Sequence, residues 1–234
     1  MTEFLIGVLL FAGYFLPIFG IFLLVRCFIA ISDELCRKTM HFILLGAYIP
    51  ILFGFEVWWH SLLFVICLII LLYPTLMITR VIPDFSSFVS ERRSGEFMKS
   101  MAIALFVMAV SIAVGVGILQ DKFAVLASVY AWGVGDALAA LIGKRYGRHK
   151  IRWRLADKNK SAEGSLAMLV GSSVAVFLVL LIKGGVSVGS CALIAIAASS
   201  VSTLVEACCR GGSDTLFCPV AAMAVIAPLV LVLS

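Results

Sequence analysis

An aspartate inside an apolar run is the first residue of this chain that calls for a chemical explanation. Asp136 lies in Ala131-Trp-Gly-Val-Gly-Asp-Ala-Leu-Ala-Ala-Leu-Ile142, less than two helical turns before a basic segment. A carboxylate at membrane depth costs a few kcal/mol or more, so it must face the protein interior or a wet cavity. It suits a magnesium ligand or a general base; the plainer alternative is a structural pair with a loop cation. Gly133 and Gly135 thin the helix beside it, which allows close packing or access by a ligand. The segment that follows, residues 143–164, carries eight cations: Lys144, Arg145, Arg148, Lys150, Arg152, Arg154, Lys158 and Lys160. Clustered Lys and Arg bind phosphates by charge and fork geometry. Gly143, Gly147 and Gly164 let backbone N–H groups approach an anion, and Lys160-Ser-Ala-Glu-Gly-Ser165 opens the next helix. The N-terminus of that helix favours negative charge. Ser161 is placed to cap it, with Glu163 in its first turn. The alternative is a loop that only orients the protein, followed by an ordinary cap.

Two weaker constellations complete the set. Glu206-Ala-Cys-Cys-Arg-Gly-Gly-Ser-Asp214 sets two carboxylates around Arg210 and a Gly-Gly turn. With Asp136, Glu206 and Asp214 form a candidate Mg²⁺ ligand set, since that ion prefers carboxylates, water and substrate phosphates; a solvated turn is the other reading. Arg37-Lys38-Thr39-Met40-His41 opens an earlier helix, where Lys38 and His41 either touch a phosphate or lipid head group or anchor the helix end. There is no GxxxxGK[ST] run, so a Walker-type NTPase is not indicated. Seven cysteines show no metal or disulfide spacing: Cys208 and Cys209 are adjacent, and no CxxC occurs.

The elements that position these residues are membrane helices. Of the 234 residues, 63% are hydrophobic and only 13% charged, far from a soluble domain. About eight apolar runs, near 4–25, 39–55, 58–78, 101–119, 123–142, 165–182, 186–205 and 215–233, approach the length needed to cross a hydrocarbon core of roughly 30 Å. The second and last are short and contain proline (Pro50; Pro219 and Pro228), so a bent or re-entrant course is open for both. Met1-Thr2-Glu3 has no basic region and the first run is too long for a signal sequence, which reads as a retained first span. The expected fold is an all-α, polytopic transmembrane bundle forming one integral membrane domain, 1–234. Sixteen of the 18 Lys and Arg fall in alternate loops, and only Lys122 and Lys183 fall on the opposite side. Positive loops remain cytoplasmic, so both termini are expected on the other face. That distribution assigns the net charge of +5 to the membrane, not to nucleic acid.

Gly135-Asp136-Ala137, Gly143-Lys-Arg-Tyr-Gly147 and Lys160-Ser-Ala-Glu-Gly-Ser165, in that order, resemble the signature of the dolichol kinase, phytol kinase and CTP-dependent diacylglycerol kinase family. That family is related to the CTP:phosphatidate cytidylyltransferases. Arg37 to His41 is similar to its RKxxH segment, and Glu206 to Pro219 to its late acidic segment. The strong match covers 131–165, with contributions from 37–41 and 206–219. The sequence departs from the family pattern at Thr215, where Asn is usual, and at Asn159, where Lys is usual. The resemblance implies a Mg²⁺-dependent lipid-alcohol kinase acting on CTP or another NTP at a cytoplasmic active face. Gly143, Lys144, Arg145, Gly147, Lys158, Lys160, Ser161, Gly164 and Ser165 would bind the nucleotide; Asp136, Lys160 and Glu163 would be catalytic. The implied setting is a multi-pass protein of a bacterial inner membrane or eukaryotic endomembrane, with membrane lipids as neighbours and homodimerisation left open. A cytidylyltransferase is the related alternative. A transporter or lipid-binding protein is the alternative of another class, although polar residues gathered at one face argue for interfacial chemistry.

The charge count makes a direct prediction about topology. In sealed vesicles, a single cysteine replacing Lys150 is expected to react only with reagent on the cytoplasmic side. Labelling from the outside alone would invert the orientation.

Overall fold

Without water to bond its backbone, an apolar run in lipid must satisfy every N–H and C=O internally, and these runs do so as helices. The computed structural model describes residues 2–29, 31–79, 96–151, 153, 156–157, 160–210 and 212–233. Arg80, Arg92, Arg93, Arg152, Arg154, Lys158 and Asn159, used in the readings above, lie outside the described residues. Eight α-helices follow one another: α1 (Thr2–Phe28), α2 (Asp33–Phe53), α3 (Trp58–Thr79), α4 (Glu96–Ser111), α5 (Lys122–Tyr146), α6 (Ala162–Lys183), α7 (Val188–Cys208) and α8 (Asp214–Leu233). A π-helical segment, Ile112–Ile118, extends α4. Seven stretches are long and apolar enough to cross a membrane, and α3 adds a shorter one, Trp58–Leu71. The polytopic helical bundle expected from the sequence is therefore present, in an integral membrane protein. The two proline-bearing runs are continuous helices: Pro50 lies in the last turn of α2, and Pro219 and Pro228 lie within α8.

Two compact units divide the chain, Met1–Gly117 and Ile118–Ser234. In the first, Phe11, Phe15 and Phe19 stack along α1 with ring centroids 5.4 and 5.3 Å apart. Phe22, at the end of this aromatic row, packs with Cys36, Met40 and Ile43 of α2. The Tyr14 hydroxyl donates to the Ile43 carbonyl at 2.9 Å, and its ring lies against Gly46, where a larger residue would collide with it. Ser32 caps α2 by accepting from the Leu35 N–H at 3.4 Å. Lys38 and His41 lie in the first two turns of this helix.

The second unit is a ring of four helices: α5 packs on α6, α6 on α7, α7 on α8, and α8 returns to α5. Its outward residues are apolar, as a lipid-facing surface requires. On α6, Leu166, Val170, Val174 and Leu178 form an exposed ridge at four-residue spacing, while Met168, Gly171, Ser172 and Val176 are buried. Lipid gives apolar side chains little reason to prefer a neighbouring helix, so close backbone approach must hold the ring together. Gly135 of α5 faces Met168 and Ser172 of α6, and Gly171 of α6 faces Leu138 and Val134 of α5. The Ser172 hydroxyl donates to the Ala131 carbonyl at 2.5 Å across this contact. At the end bearing Lys122, Asp121 accepts from the N–H groups of Phe123 and Ala124 at 2.9 and 3.0 Å, and pairs with Lys183. That pair ties the start of α5 to the end of α6. Gly184 and Gly185, both at positive φ, then turn the chain into α7.

A Cβ at Gly135 would lie 2.8 Å from Met168 Cγ and closer still to the Ser172 hydroxyl, whereas one at Gly13 of α1 would meet nothing within 4 Å. Gly135→Val should therefore destabilise by about 1–3 kcal/mol through overpacking, and Gly13→Val should be near neutral. Thermal denaturation of the detergent-purified variants tests this; equal midpoints would remove the packing argument.

Candidate active site

The polar residues of the second unit collect at the end opposite the Asp121–Lys183 pair, and the loop between α5 and α6 brings them there. The Gly147 N–H caps α5 on the Gly143 carbonyl at 3.1 Å. The chain then runs antiparallel to its own return: the Ile151 N–H donates to the Lys160 carbonyl at 3.2 Å and the Ala162 N–H to the His149 carbonyl at 2.9 Å. Ser161, buried at the end of this pairing, caps α6 by accepting from the Gly164 N–H at 3.2 Å. Gly143, Gly147 and Gly164 all crowd the Ser161 hydroxyl; a Cβ on Gly164 would lie 3.0 Å from the Ala139 carbonyl. These glycines thus let the end of α5 meet the start of α6. The N–H groups of Gly147 and Gly164 serve the helix caps, which leaves side-chain cations as the principal means of holding a phosphate here.

The middle of the loop docks on the end of α7. The last carbonyls of a helix lack intrahelical donors. The Asp157 N–H supplies one to Ala207 at 2.9 Å, and Arg210 Nη2 reaches the Ala156 carbonyl at 3.4 Å. The Lys160 N–H donates to the Asp157 carbonyl at 3.0 Å. This fixes the Lys160 backbone beside α7 and directs its side chain to Glu206.

Glu206 is the least expected group in the unit. Only 2% exposed, it pairs through Oε1 with Lys160 Nζ, whose side chain is 27% exposed. Its other oxygen, Oε2, is buried with no hydrogen-bond partner. The hydroxyls of Thr203 and Ser199, one and two turns deeper on α7, are likewise buried without partners, so Glu206 heads a polar stripe on an apolar helix. Asp136 and Asp214 lie within electrostatic reach of both Glu206 and Lys160. Trp132, one turn before Asp136, donates from Nε1 to Asp214 Oδ2 at 3.4 Å. Burial would lower the pKa of the Lys160 ammonium, but Glu206, Asp214 and Asp136 outweigh it and hold the group above the ordinary lysine value. Lys160 therefore stays charged at neutral pH.

Of the residues selected from sequence, Asp136, Lys160, Glu206 and Asp214 are brought together. Lys144 and Arg145 are exposed at the end of α5, with the Arg145 guanidinium 5.4 Å over the Tyr146 ring. Ser165 carries a buried hydroxyl without a partner. Glu163 is engaged elsewhere: it accepts from the His149 N–H at 3.2 Å and meets His149 Nδ1 at 2.7 Å, joining the start of the loop to the start of α6. Lys38 and His41 belong to the first unit. His149, Trp132 and Asp157 carried no assigned role from sequence. Trp132 had one available signal, its position four residues before Asp136 on one helix face; the Asp157 contact, made through the backbone, left none. The donor set of Asp136, Glu206 and Asp214 has the carboxylate chemistry that Mg²⁺ takes, and the unpartnered Glu206 oxygen is the buried group such an ion would satisfy. No three His, Cys, Asp or Glu among the described residues form a ready-made metal cage, so an ion would have to draw the carboxylates together.

No protein-family description matches the chain, and no solved structure matches it. Among curated proteins it is similar to the phytol kinase of Synechocystis sp., with 37% identity over 94 residues, which are 39% of this chain and 37% of that protein. It is also similar to the dolichol kinase of Saccharomyces cerevisiae, with 55% identity over 49 residues, 21% of this chain and 8% of that protein. The chain spans little more than a third of the first relative and under a tenth of the second. Over those stretches, the similarity to polyprenol kinases read from the residues is shown.

Proposed function

We propose that this protein is a membrane-embedded lipid-alcohol kinase that transfers the γ-phosphate of CTP, or another NTP, to the hydroxyl of an isoprenoid alcohol or diacylglycerol. The observation that carries the reading is the buried Lys160–Glu206 pair with Asp136 and Asp214 around it, at the end of the ring that also bears the exposed cations Lys144, Arg145, Arg148 and Lys150. A lipid alcohol in a bilayer keeps its tail among apolar helices and its hydroxyl near the interface. Its most economical reaction site is a polar cluster at helix ends. The names of the two similar proteins favour the same chemistry.

In the proposed reaction the lipid hydroxyl oxygen bonds to the γ-phosphorus, the bond from that phosphorus to the β–γ bridging oxygen breaks, and the nucleoside diphosphate leaves. Such transfers depend mainly on positioning and charge neutralisation. Lys160 supplies an ammonium held among carboxylates, and the exposed cations at the end of α5 and in the following loop gather the nucleotide's phosphates. Asp136 takes the hydroxyl proton. Mg²⁺, held by Asp136, Glu206 and Asp214, would add neutralising charge on the phosphate oxygens. Glu163 acts through the loop it ties to His149 and not on the reacting atoms.

Isotope labelling tests the assignment. CTP labelled at the γ-phosphate should give a labelled lipid monophosphate with release of CDP, and α-labelled CTP should leave the lipid unlabelled. Asp136→Asn should reduce that transfer by about a hundredfold or more while the protein remains monodisperse. Label from the α-position in the lipid, with pyrophosphate released, would make the protein a cytidylyltransferase instead.

A further inference from the structure

We infer that Lys160 is the resident cation of the carboxylate site, and that a divalent ion binding at Asp136, Glu206 and Asp214 exchanges with it and releases the ammonium toward the nucleotide's phosphates. The inference deepens the kinase reading and rests on it. Three observations support it. First, Glu206 is 2% exposed and already holds a cation, the Lys160 ammonium, on one oxygen while the other has no hydrogen-bond partner. The site therefore takes positive charge and is incompletely satisfied by it. Second, one ammonium faces three carboxylates. If all three are ionised, Lys160 leaves two negative charges uncompensated, whereas a divalent ion leaves one, so exchange improves the balance. Third, the Lys160 backbone is held on both sides, by the Ile151 N–H on its carbonyl and by its own N–H on the Asp157 carbonyl. Only the flexible four-carbon side chain has to move. It can swing away from Glu206 without undocking the loop.

The consequence is an ordered site. Before the metal arrives, the ammonium is tied to Glu206 and withheld from phosphate. Afterwards it joins the exposed cations of the same loop. Metal binding and phosphate binding are then coupled through one side chain, with no rearrangement of the helices.

The exchange is tested with Mn²⁺ as the probe, in detergent and without nucleotide, counting bound ion by electron paramagnetic resonance. Removing the competing cation in Lys160→Gln should tighten Mn²⁺ binding by about tenfold, since unit charges a few ångströms apart interact strongly away from bulk water. Lys160→Arg, which keeps the charge, should bind no more tightly than the unmodified protein. CTP binding in the presence of Mn²⁺ should weaken in Lys160→Gln. A second measurement uses the unmodified chain and does not depend on a variant's folding: reductive methylation of Lys160, quantified by mass spectrometry, should rise when Mn²⁺ is added. Lys160→Gln binding Mn²⁺ no more tightly, or methylation of Lys160 unchanged by Mn²⁺, would overturn the exchange and leave the kinase reading standing. An unmodified protein that binds neither Mn²⁺ nor CTP would overturn both.

Discussion

A carboxylate removed from water must be neutralised, and the lower part of the second unit is organised around meeting that demand for Glu206. Its partner, Lys160, comes from a loop 46 residues earlier. For the two to meet, the loop must fold back on the end of α7, which requires the Asp157 contact to the Ala207 carbonyl and the Arg210 contact to the Ala156 carbonyl. It also requires α5 and α6 to come close enough at Gly143, Gly147 and Gly164 for Ser161 to cap between them. Breaking a buried ion pair by removing one partner typically costs about 3–5 kcal/mol, because the other charge is left stranded. The pair is thus both a structural condition for the loop's course and the reason a reactive cluster exists at this end.

The opposite end of the same unit shows what an ion pair contributes without such a cluster. Asp121 caps α5, pairs with Lys183, and has its oxygens divided between backbone donors and that cation. At the other end Glu206 has one satisfied oxygen and one orphan, with Asp136 and Asp214 nearby. The first arrangement is closed. The second has unused capacity for a cation, and that difference marks it as the working end of the ring.

Much of this was legible in the sequence, for physical reasons that differ by residue. The spans were readable because lipid leaves the backbone no choice but helix, and the run at 215–233 became a helix despite Pro219 and Pro228. Asp136 was readable because an acid in an apolar run demands a purpose. The Ser161 cap was readable from its place just before an apolar helix. The use made of the glycines was only half legible. Gly135 serves close packing against Met168 and Ser172, and the loop glycines spend two N–H groups on caps, because a sequence gives no view of which neighbour fills the space a missing Cβ leaves. Lys160 read as a phosphate ligand and proves to be paired with Glu206, and Glu163 proves to hold His149. Both partners are set by tertiary docking, which local spacing does not encode. Trp132 and Asp214 meet across 82 residues for the same reason.

The account's central claim is that this carboxylate and lysine cluster serves phosphoryl transfer to a lipid hydroxyl. Its most direct test is mass spectrometry of lipids recovered after the purified protein is incubated with a panel of lipid alcohols (phytol, farnesol-type alcohols, a polyprenol and diacylglycerol), each crossed with CTP, ATP, GTP and UTP in the presence of Mg²⁺. The account predicts a lipid monophosphate, heavier than its alcohol by one phosphoryl group, for at least one pairing, and its loss when Glu206 is replaced by Gln. A protein that binds these lipids and yields no phosphorylated product with any nucleotide would contradict it.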